Sequence, residues 1–511
     1  MGENTPDDSG VTTLATQGGI TFFGSIIGRG LGFVFTIGVT KLVSASTFGV
    51  YSLGLAIVLF TKSIADLSVY RGIDYYIPQY LLDENYDEAR NLFATISVIA
   101  LLGTGLAVIV LWSFTPYLSS IFGEDRLTAI LPVLALALPF LSFRDVTVRM
   151  FIAIKQLRYR VLLTNLLLPG GKLFITLVLI FAGYKLQGLV LGYLSSIIIV
   201  AFAGIVYLRR RVSWLFNGSI EGAELNNLFS YALPLVFAGV IHSTISQIDF
   251  FIIGYYPNTT SEDLAIYKVA NLLGINLLIF LNSLAPVFKP MVTEVKQDDQ
   301  LLNSRYALAA RWILLFSLPV ALTLILAPRT YLSLLFTRVY AAGSGALIIL
   351  VLGYLVNSSV GPEGMVLEGL GFTKLTLANT ALIVSVNAVL DILLIPRLGI
   401  LGAAIGTAVG ITCGVTAGVL ELHYLRGLFP FEKRTIYVFL SGVPPLSVGW
   451  IATILIDSKL LLAVSLPFII LGTYLIFLRI FNVFGEEDRL VAELLEKKTG
   501  IDLIGWFIHS K

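Results

Sequence analysis

Ile20-Thr-Phe-Phe-Gly-Ser-Ile-Ile-Gly-Arg29-Gly-Leu-Gly-Phe-Val-Phe-Thr-Ile-Gly-Val-Thr-Lys-Leu-Val43 is an apolar run long enough to cross a bilayer, with one arginine near its middle. A charge at that depth costs at least ~2.5–3.5 kcal/mol, so such residues face a bundle interior or a water-filled cavity rather than lipid. Arg29 therefore implies a polar space inside the protein. On helical spacing Phe22, Ser25, Arg29, Phe33 and Thr36 form one stripe, and Gly24, Gly28 and Gly32 form a neighbouring face of small residues suited to close helix contact. One face packs and the other presents chemistry. The competing reading is an arginine locked in a structural ion pair with a neighbouring helix.

The rest of the chain has the same character. Hydrophobic residues make up 57% and charged residues 13%, about half the charged share of a soluble domain, which defines an all-α integral membrane protein. Apolar windows of about 20 residues fall at 18–43, 47–70, 91–112, 128–151, 161–182, 188–208, 229–256, 264–288, 306–327, 343–363, 375–395, 401–422, 436–456 and 460–480. These predict fourteen transmembrane helices, an even number that places both termini on one side. Loops on that side carry fifteen Lys and Arg, among them Arg209, Arg210, Arg211, Lys433 and Arg434. The opposite loops carry six: Arg126, Lys185, Arg329, Arg338, Arg397 and Lys459. By the positive-inside rule both termini are expected in the cytoplasm, at the cell membrane. Residues 1–17 lack the basic start and short apolar core of a cleavable signal, so the first span is expected to serve as the insertion signal. The tail from 481 to 511 has Leu490, Leu494 and Leu495 on one helical face and reads as an amphipathic cytoplasmic segment on the membrane surface, or as a loosely ordered terminus. The net charge of +2 argues against a nucleic-acid partner, and the single Cys413 leaves neither a disulfide nor a thiol metal site.

An internal repeat organises the spans. Val50-Tyr51 returns as Ile266-Tyr267, Leu163-Thr164-Asn165 as Leu377-Ala378-Asn379, and Gly188-Leu-Val-Leu-Gly192 as Gly402-Ala-Ala-Ile-Gly406, all at an offset near 214. Helices one to six thus resemble helices seven to twelve. Six is even, so the repeats are expected to be parallel, related by a pseudo-twofold axis along the membrane normal, with two bundles facing a central cleft. The expected division is an N-lobe at 18–211, a cytoplasmic linker at 212–228, a C-lobe at 229–427, two added helices at 428–480 and the tail.

Three segments carry a family resemblance: Phe48-Gly-Val-Tyr-Ser-Leu; Gln247-Ile-Asp-Phe-Phe-Ile-Ile-Gly254 with Ile266-Tyr-Lys-Val-Ala after it; and Ile395-Pro-Arg-Leu-Gly-Ile-Leu-Gly-Ala-Ala-Ile-Gly-Thr407. They resemble the polysaccharide-unit flippases of the MOP superfamily, relatives of the MATE exporters, over nearly the whole chain. Independently of the resemblance, Pro396 is expected to end one helix, and Gly402, Gly406, Gly410, Gly414 and Gly418 form a ridge along the next. The resemblance implies two six-helix lobes, two extra helices and alternating access that carries a lipid-linked oligosaccharide on a polyprenyl or dolichyl phosphate or pyrophosphate. Membrane lipid and glycosyltransferases of the same pathway are the implied partners.

Charge placement nominates the site. In or near the first-lobe spans lie Arg29, Lys41, Lys62, Asp66, Arg144, Asp145, Arg149 and Lys172. By i,i+4 spacing Asp66 is expected to pair with Lys62 and Asp145 with Arg149. Arg29, Arg144 and Lys172 then lack a local acid, and with Lys62 they are the candidate phosphate ligands. The second lobe reverses the sign: Asp249 and Glu363 are candidates for H+ or Na+ coupling. His242, Ser246 and Asp249 share a face, and Pro362 is expected to permit bending. Ser25, Asn271, Asn282 and Asn357 are candidates for a hydrated sugar groove, with interhelical hydrogen bonding as the alternative for each asparagine.

Two other functional classes compete. A MATE-type cation-coupled drug exporter would favour acids in the first lobe. A membrane-embedded glycosyltransferase, polymerase or ligase would need a catalytic constellation, and the short external loops offer none; His242, His423 and His509 have no motif around them. Gly28-Arg-Gly-Leu-Gly32 follows no strand and is no nucleotide loop. Neither a cofactor, a metal nor an enzymatic activity is expected.

Overall fold

The structure, a computed structural model, describes residues 6–219, 221, 236, 239–241, 243, 244, 247–484 and 488. Among them are thirteen helices long and apolar enough to cross a membrane, each coinciding with one of the predicted windows, and no strand. Residues 229–235, 237, 238, 242, 245 and 246 of the window at 229–256, among them His242 and Ser246, the linker residues 222–228 and the tail beyond 488 lie outside the described residues.

The chain divides into two compact units, Met1–Ala265 and Ile266–Lys511. The first contains α1 (Pro6–Leu42), α2 (Ala45–Ala65), α3 (Arg71–Leu82), α4 (Tyr86–Ile121), α5 (Leu127–Ala135), α6 (Ala137–Ala153), α7 (Leu157–Val161), α8 (Leu168–Phe181) and α9 (Leu186–Arg211). The helical residues 247–255 belong to it as well. Its helix starts are fixed locally: Ser44 accepts from Thr47 N at α2, and Asn85 accepts from Glu88 N at α4, each satisfying a backbone donor that the helix cannot. A π-helical turn, Leu162–Leu167, joins α7 to α8. Pro169 has no N–H for the Asn165 carbonyl, and the Leu168 N–H reaches Leu163 O, five residues back. An apolar core forms where Ile73 and Ile77 of α3 meet Leu92 and Ile96 of α4, Phe151 of α6 and Leu208 of α9.

The second unit begins inside α10 (Ser261–Ile275), which passes through a 3-10 turn into α11 (Ile279–Glu294). It continues with α12 (Asp299–Leu326), α13 (Pro328–Leu335), α14 (Ser344–Val360), α15 (Glu363–Gly369), α16 (Thr373–Leu398), α17 (Ile400–Arg426), α18 (Lys433–Ser441), α19 (Val443–Leu455) and α20 (Lys459–Ile480). Leu314, Leu318 and Leu322 of α12 pack with Leu466, Ile470 and Tyr474 of α20, so the two added C-terminal helices share a core with this unit. The glycine ridge of α17 lies against α16: a β-carbon at Gly410 would sit 2.9 Å from Ile383 O, and one at Gly402 2.6 Å from the Leu394 carbonyl carbon. Pro396 does not end α16, which runs on to Leu398; the stop is Gly399, at φ 55°. At Pro362 the chain does more than bend. Helix α14 ends at Val360, Gly361 takes φ 79°, and α15 starts afresh at Glu363.

Candidate functional site

The interior of the first unit holds a chain of charges drawn from four helices. Lys62, on α2, places Nζ 2.5 Å from Asp66 Oδ2 and 2.8 Å from Asp145 Oδ2 on α6. The Arg144 guanidinium donates to Asp145 Oδ1 from Nε at 2.9 Å and from Nη2 at 2.6 Å. Asp145 thus joins two cations. Asp66 is buried, and its Oδ1 accepts from Ser68 N at 3.0 Å, which ties down a turn where Leu67 and Ser68 both take positive φ. The Tyr70 ring lies 5.3 Å from Lys62 Nζ and 5.5 Å from the Arg149 guanidinium carbon, and Arg149 donates to Asp74 of α3 at 2.5 Å. Lys172, on α8, sits over aromatic faces, 4.0 Å from the Phe35 centroid, 5.4 Å from Tyr193 and 5.6 Å from Tyr51, an arrangement whose attraction grows as water is excluded.

Two sequence expectations about this cluster are corrected. Asp66 does pair with Lys62, but Asp145 pairs with Arg144 and Lys62 rather than with Arg149. Spacing along one helix cannot weigh a partner arriving from α3, and Asp74 lies outside any apolar window. With Asp74 included, the basic excess of the first lobe is smaller than the spans alone suggest. Arg144 is therefore not without a local acid.

Arg29 is exposed rather than buried, and it makes no ion pair among the described residues. The small-residue face beside it does pack: a β-carbon at Gly24 would lie 2.1 Å from Val161 Cγ1, and one at Gly28 2.9 Å from Asn165 O. Gly32 has nothing within 4 Å. Ser25 is half-buried and accepts from Asn165 Nδ2 at 3.4 Å, so the π turn abuts the candidate stripe.

The remaining candidates are dispersed. Asn271 accepts from the Tyr354 hydroxyl at 2.6 Å, the interhelical bond that was the alternative to a sugar contact. Asn282 is exposed and Asn357 half-buried. Asp249 is buried among residues 247–255 of the first unit, whereas Glu363 opens α15 of the second, with its Cγ 3.1 Å from where a β-carbon on Gly418 would stand. Among the described residues no group of three His, Cys, Asp or Glu is arranged for a metal ion.

Two buried clusters escaped the sequence reading. Arg311 donates from Nη2 to both carboxylate oxygens of Asp488, at 2.8 and 2.9 Å, and Trp312 Nε1 donates to the same group at 2.9 Å. Arg90, one of the fifteen cations of the loops on the side of the termini, is buried and donates to Asn217 O and Ser219 O across Gly218, which takes φ 124°. Apart from the i,i+3 pairing of Arg90 with Asp87, neither has a local signal, since the other partners are more than 120 residues apart in sequence.

The all-helical architecture, with its many apolar spans and its chain of charges inside a unit, defines the class: a polytopic membrane protein. Residues 39–343 match the model of the family described as Polysaccharide biosynthesis protein, and the chain belongs to that family. It is 22% identical over 452 residues to the uncharacterized membrane protein MJ1068 of Methanocaldococcus jannaschii, covering 83% of this chain and 87% of that one. Its fold is like that of the lipid II flippase MurJ in an inward closed conformation, with a TM-score of 0.73 at 17% identity over 90% of this chain and 98% of the other. An inward-facing MATE family multidrug resistance transporter of the MOP superfamily is also similar, with a TM-score of 0.64 at 14% identity over 78% and 94%.

Proposed function

We propose that this protein flips a lipid-linked oligosaccharide across the cell membrane by alternating access, for polysaccharide or glycoprotein glycan assembly. The observation that carries the reading is Asp145 shared by Lys62 and Arg144 inside a membrane unit of a polysaccharide-biosynthesis protein. Arg144 donates twice to one carboxylate oxygen, and its guanidinium offers a phosphate the same pair of donors with the Lys62 ammonium close by. Arg29, exposed within its span, is the first contact for the phosphate or pyrophosphate; Lys172 is a further one. Ser25 in the first unit and Asn282 and Asn357 in the second are assigned to the sugar hydroxyls, while Asn271 serves the interhelical bond to Tyr354. Asp249 and Glu363 link transport to H+ or Na+. MurJ, named as a lipid II flippase, supports a substrate of this class. Both termini lie in the cytoplasm, where glycosyltransferases supply the substrate.

The test is transport of a fluorescent polyprenyl-diphosphate oligosaccharide in reconstituted vesicles. Arg29→Ala is expected to abolish flipping. Arg29→Lys is expected to keep the fold and weaken flipping, because an ammonium loses the bidentate contact. Normal transport by a well-folded Arg29→Ala protein overturns the role of Arg29. Extrusion of cationic dyes with no movement of the glycolipid returns the reading to a drug exporter.

A further inference from the structure

A groove of 460 Å³ runs between α11 and α12, wholly inside the second unit. Phe280, Leu284 and Phe288 line one wall at helical spacing, and Leu308, Trp312 and Phe316 line the other. The wall is built in advance. Phe280 and Phe316 stack at 5.5 Å, Trp312 lies 5.6 Å from Phe316, and the Trp312 indole is fixed by its hydrogen bond to Asp488, itself held by Arg311. One cation breaks the apolar lining. Arg305 is half-buried at the end of the groove nearest the short α11–α12 connection, and it makes no ion pair among the described residues. From Arg305 to Phe316 the helix rises roughly 16 Å at 1.5 Å per residue. Half of a hydrocarbon core about 30 Å thick is about 15 Å.

We propose that this groove holds one hydrocarbon chain of an anionic membrane phospholipid whose phosphate sits on Arg305. The length matches a single leaflet, the lining suits a methylene chain, and a guanidinium at the headgroup end selects a phosphate carrying net negative charge. A polyprenyl carrier of many isoprene units is several times longer than the groove, so the occupant is a resident lipid and not the transported one. The positive-inside count puts the Arg305 end on the cytoplasmic side, so the lipid comes from that leaflet, where polybasic surfaces meet anionic headgroups.

Native mass spectrometry of the full-length protein, released from nanodiscs of equal phosphatidylglycerol and phosphatidylcholine, tests the site. The wild type is expected to retain one phosphatidylglycerol. Arg305→Gln is expected to lose the preference for that headgroup at least fivefold while keeping a lipid. Ser283→Trp and Leu308→Trp, which fill the groove from opposite walls, are expected to lose the retained lipid while eluting as wild type on size exclusion. Unchanged retention in both filled variants means annular lipid only and overturns the proposal. Displacement of the lipid by equimolar polyprenyl phosphate overturns it in favour of the carrier tail. A rise in occupancy when Ile501 and Ile504 are changed to Asp in the full chain overturns it in favour of the C-terminal segment as occupant.

Discussion

Asp145 carries two cations at once, and that makes it the residue whose removal does most damage in the first unit. Lys62 keeps Asp66, but Arg144 loses both hydrogen bonds from its guanidinium and stays charged in the interior. A fully buried pair broken from one side costs about 3–5 kcal/mol, and Arg144 and Asp145 are half-buried. Asp145→Ala is therefore expected to destabilise the protein by less than that, about 2 kcal/mol, read as a drop in melting temperature in detergent. Asp87, whose carboxylate also meets an arginine but is 79% exposed, provides the contrast; Asp87→Ala is expected to cost under about 1 kcal/mol. Outside the membrane, Glu124 in the loop between α4 and α5 gives a pH-dependent case. Burial alone would raise its pKa, but hydrogen bonds from Arg126 and Ser261 outweigh burial and hold it below the ordinary carboxylate value. A depressed folded-state pKa contributes stability that is present above the unfolded value and lost as pH falls through the folded one. The melting-temperature gap between wild type and Glu124→Gln is expected to narrow as pH drops through and below the usual carboxylate range; a gap that stays constant from neutral to acid pH removes Glu124 from this role.

At the scale of the element, the α16–α17 pair shows why glycine recurs every fourth residue. Closely approaching backbones leave no volume for a side chain, and the contacts at Gly402 and Gly410 are with backbone atoms, which cannot rotate away. Gly410→Leu is expected to lower stability by about 1–3 kcal/mol through overpacking. Gly105 of α4, with nothing within 4 Å of its β-carbon position, is expected to accept leucine within about 0.5 kcal/mol. Equal melting temperatures for the two variants would show that the ridge does not set the helix spacing. Glycines aligned in the sequence also lie at tight helix contacts within their own units. In α9, a β-carbon at Gly192 would come within 2.9 Å of Thr176 Cα on α8, as one at Gly406 in α17 would meet Asn387 O of α16 at 3.2 Å. Val50-Tyr51 and Ile266-Tyr267 are all buried.

For the whole molecule, the asymmetry of loop charge makes topology the property most directly open to test. Single cysteines at Asn258 and Lys459, in a chain whose native Cys413 is replaced, are expected to react with a membrane-impermeant thiol reagent added to intact cells. Cysteines at Arg210 and Lys433 are expected to react only after permeabilisation. The reverse pattern would invert the orientation and place the Arg305 end of the α11–α12 groove on the opposite leaflet.

The sequence by itself determined the class of protein, thirteen of the spans, the Lys62–Asp66 pair and the glycine ridge. Each is written locally: an apolar run of bilayer length, an i,i+4 spacing, a small residue every fourth position. Only the tertiary structure decided where the other charges go. Arg149 found Asp74, Arg144 found its neighbour in an orientation that one helix does not fix, and Arg311 found Asp488 at the far end of the chain. The physical reason is the cost of an unpaired charge in a low-dielectric interior, which selects the best available partner in space with no regard to its distance along the chain. The stretch around Arg29 divides in the same way: its composition requires a polar environment, and packing against Val161 and Asn165 decided that Gly24 and Gly28 face inward while the arginine does not.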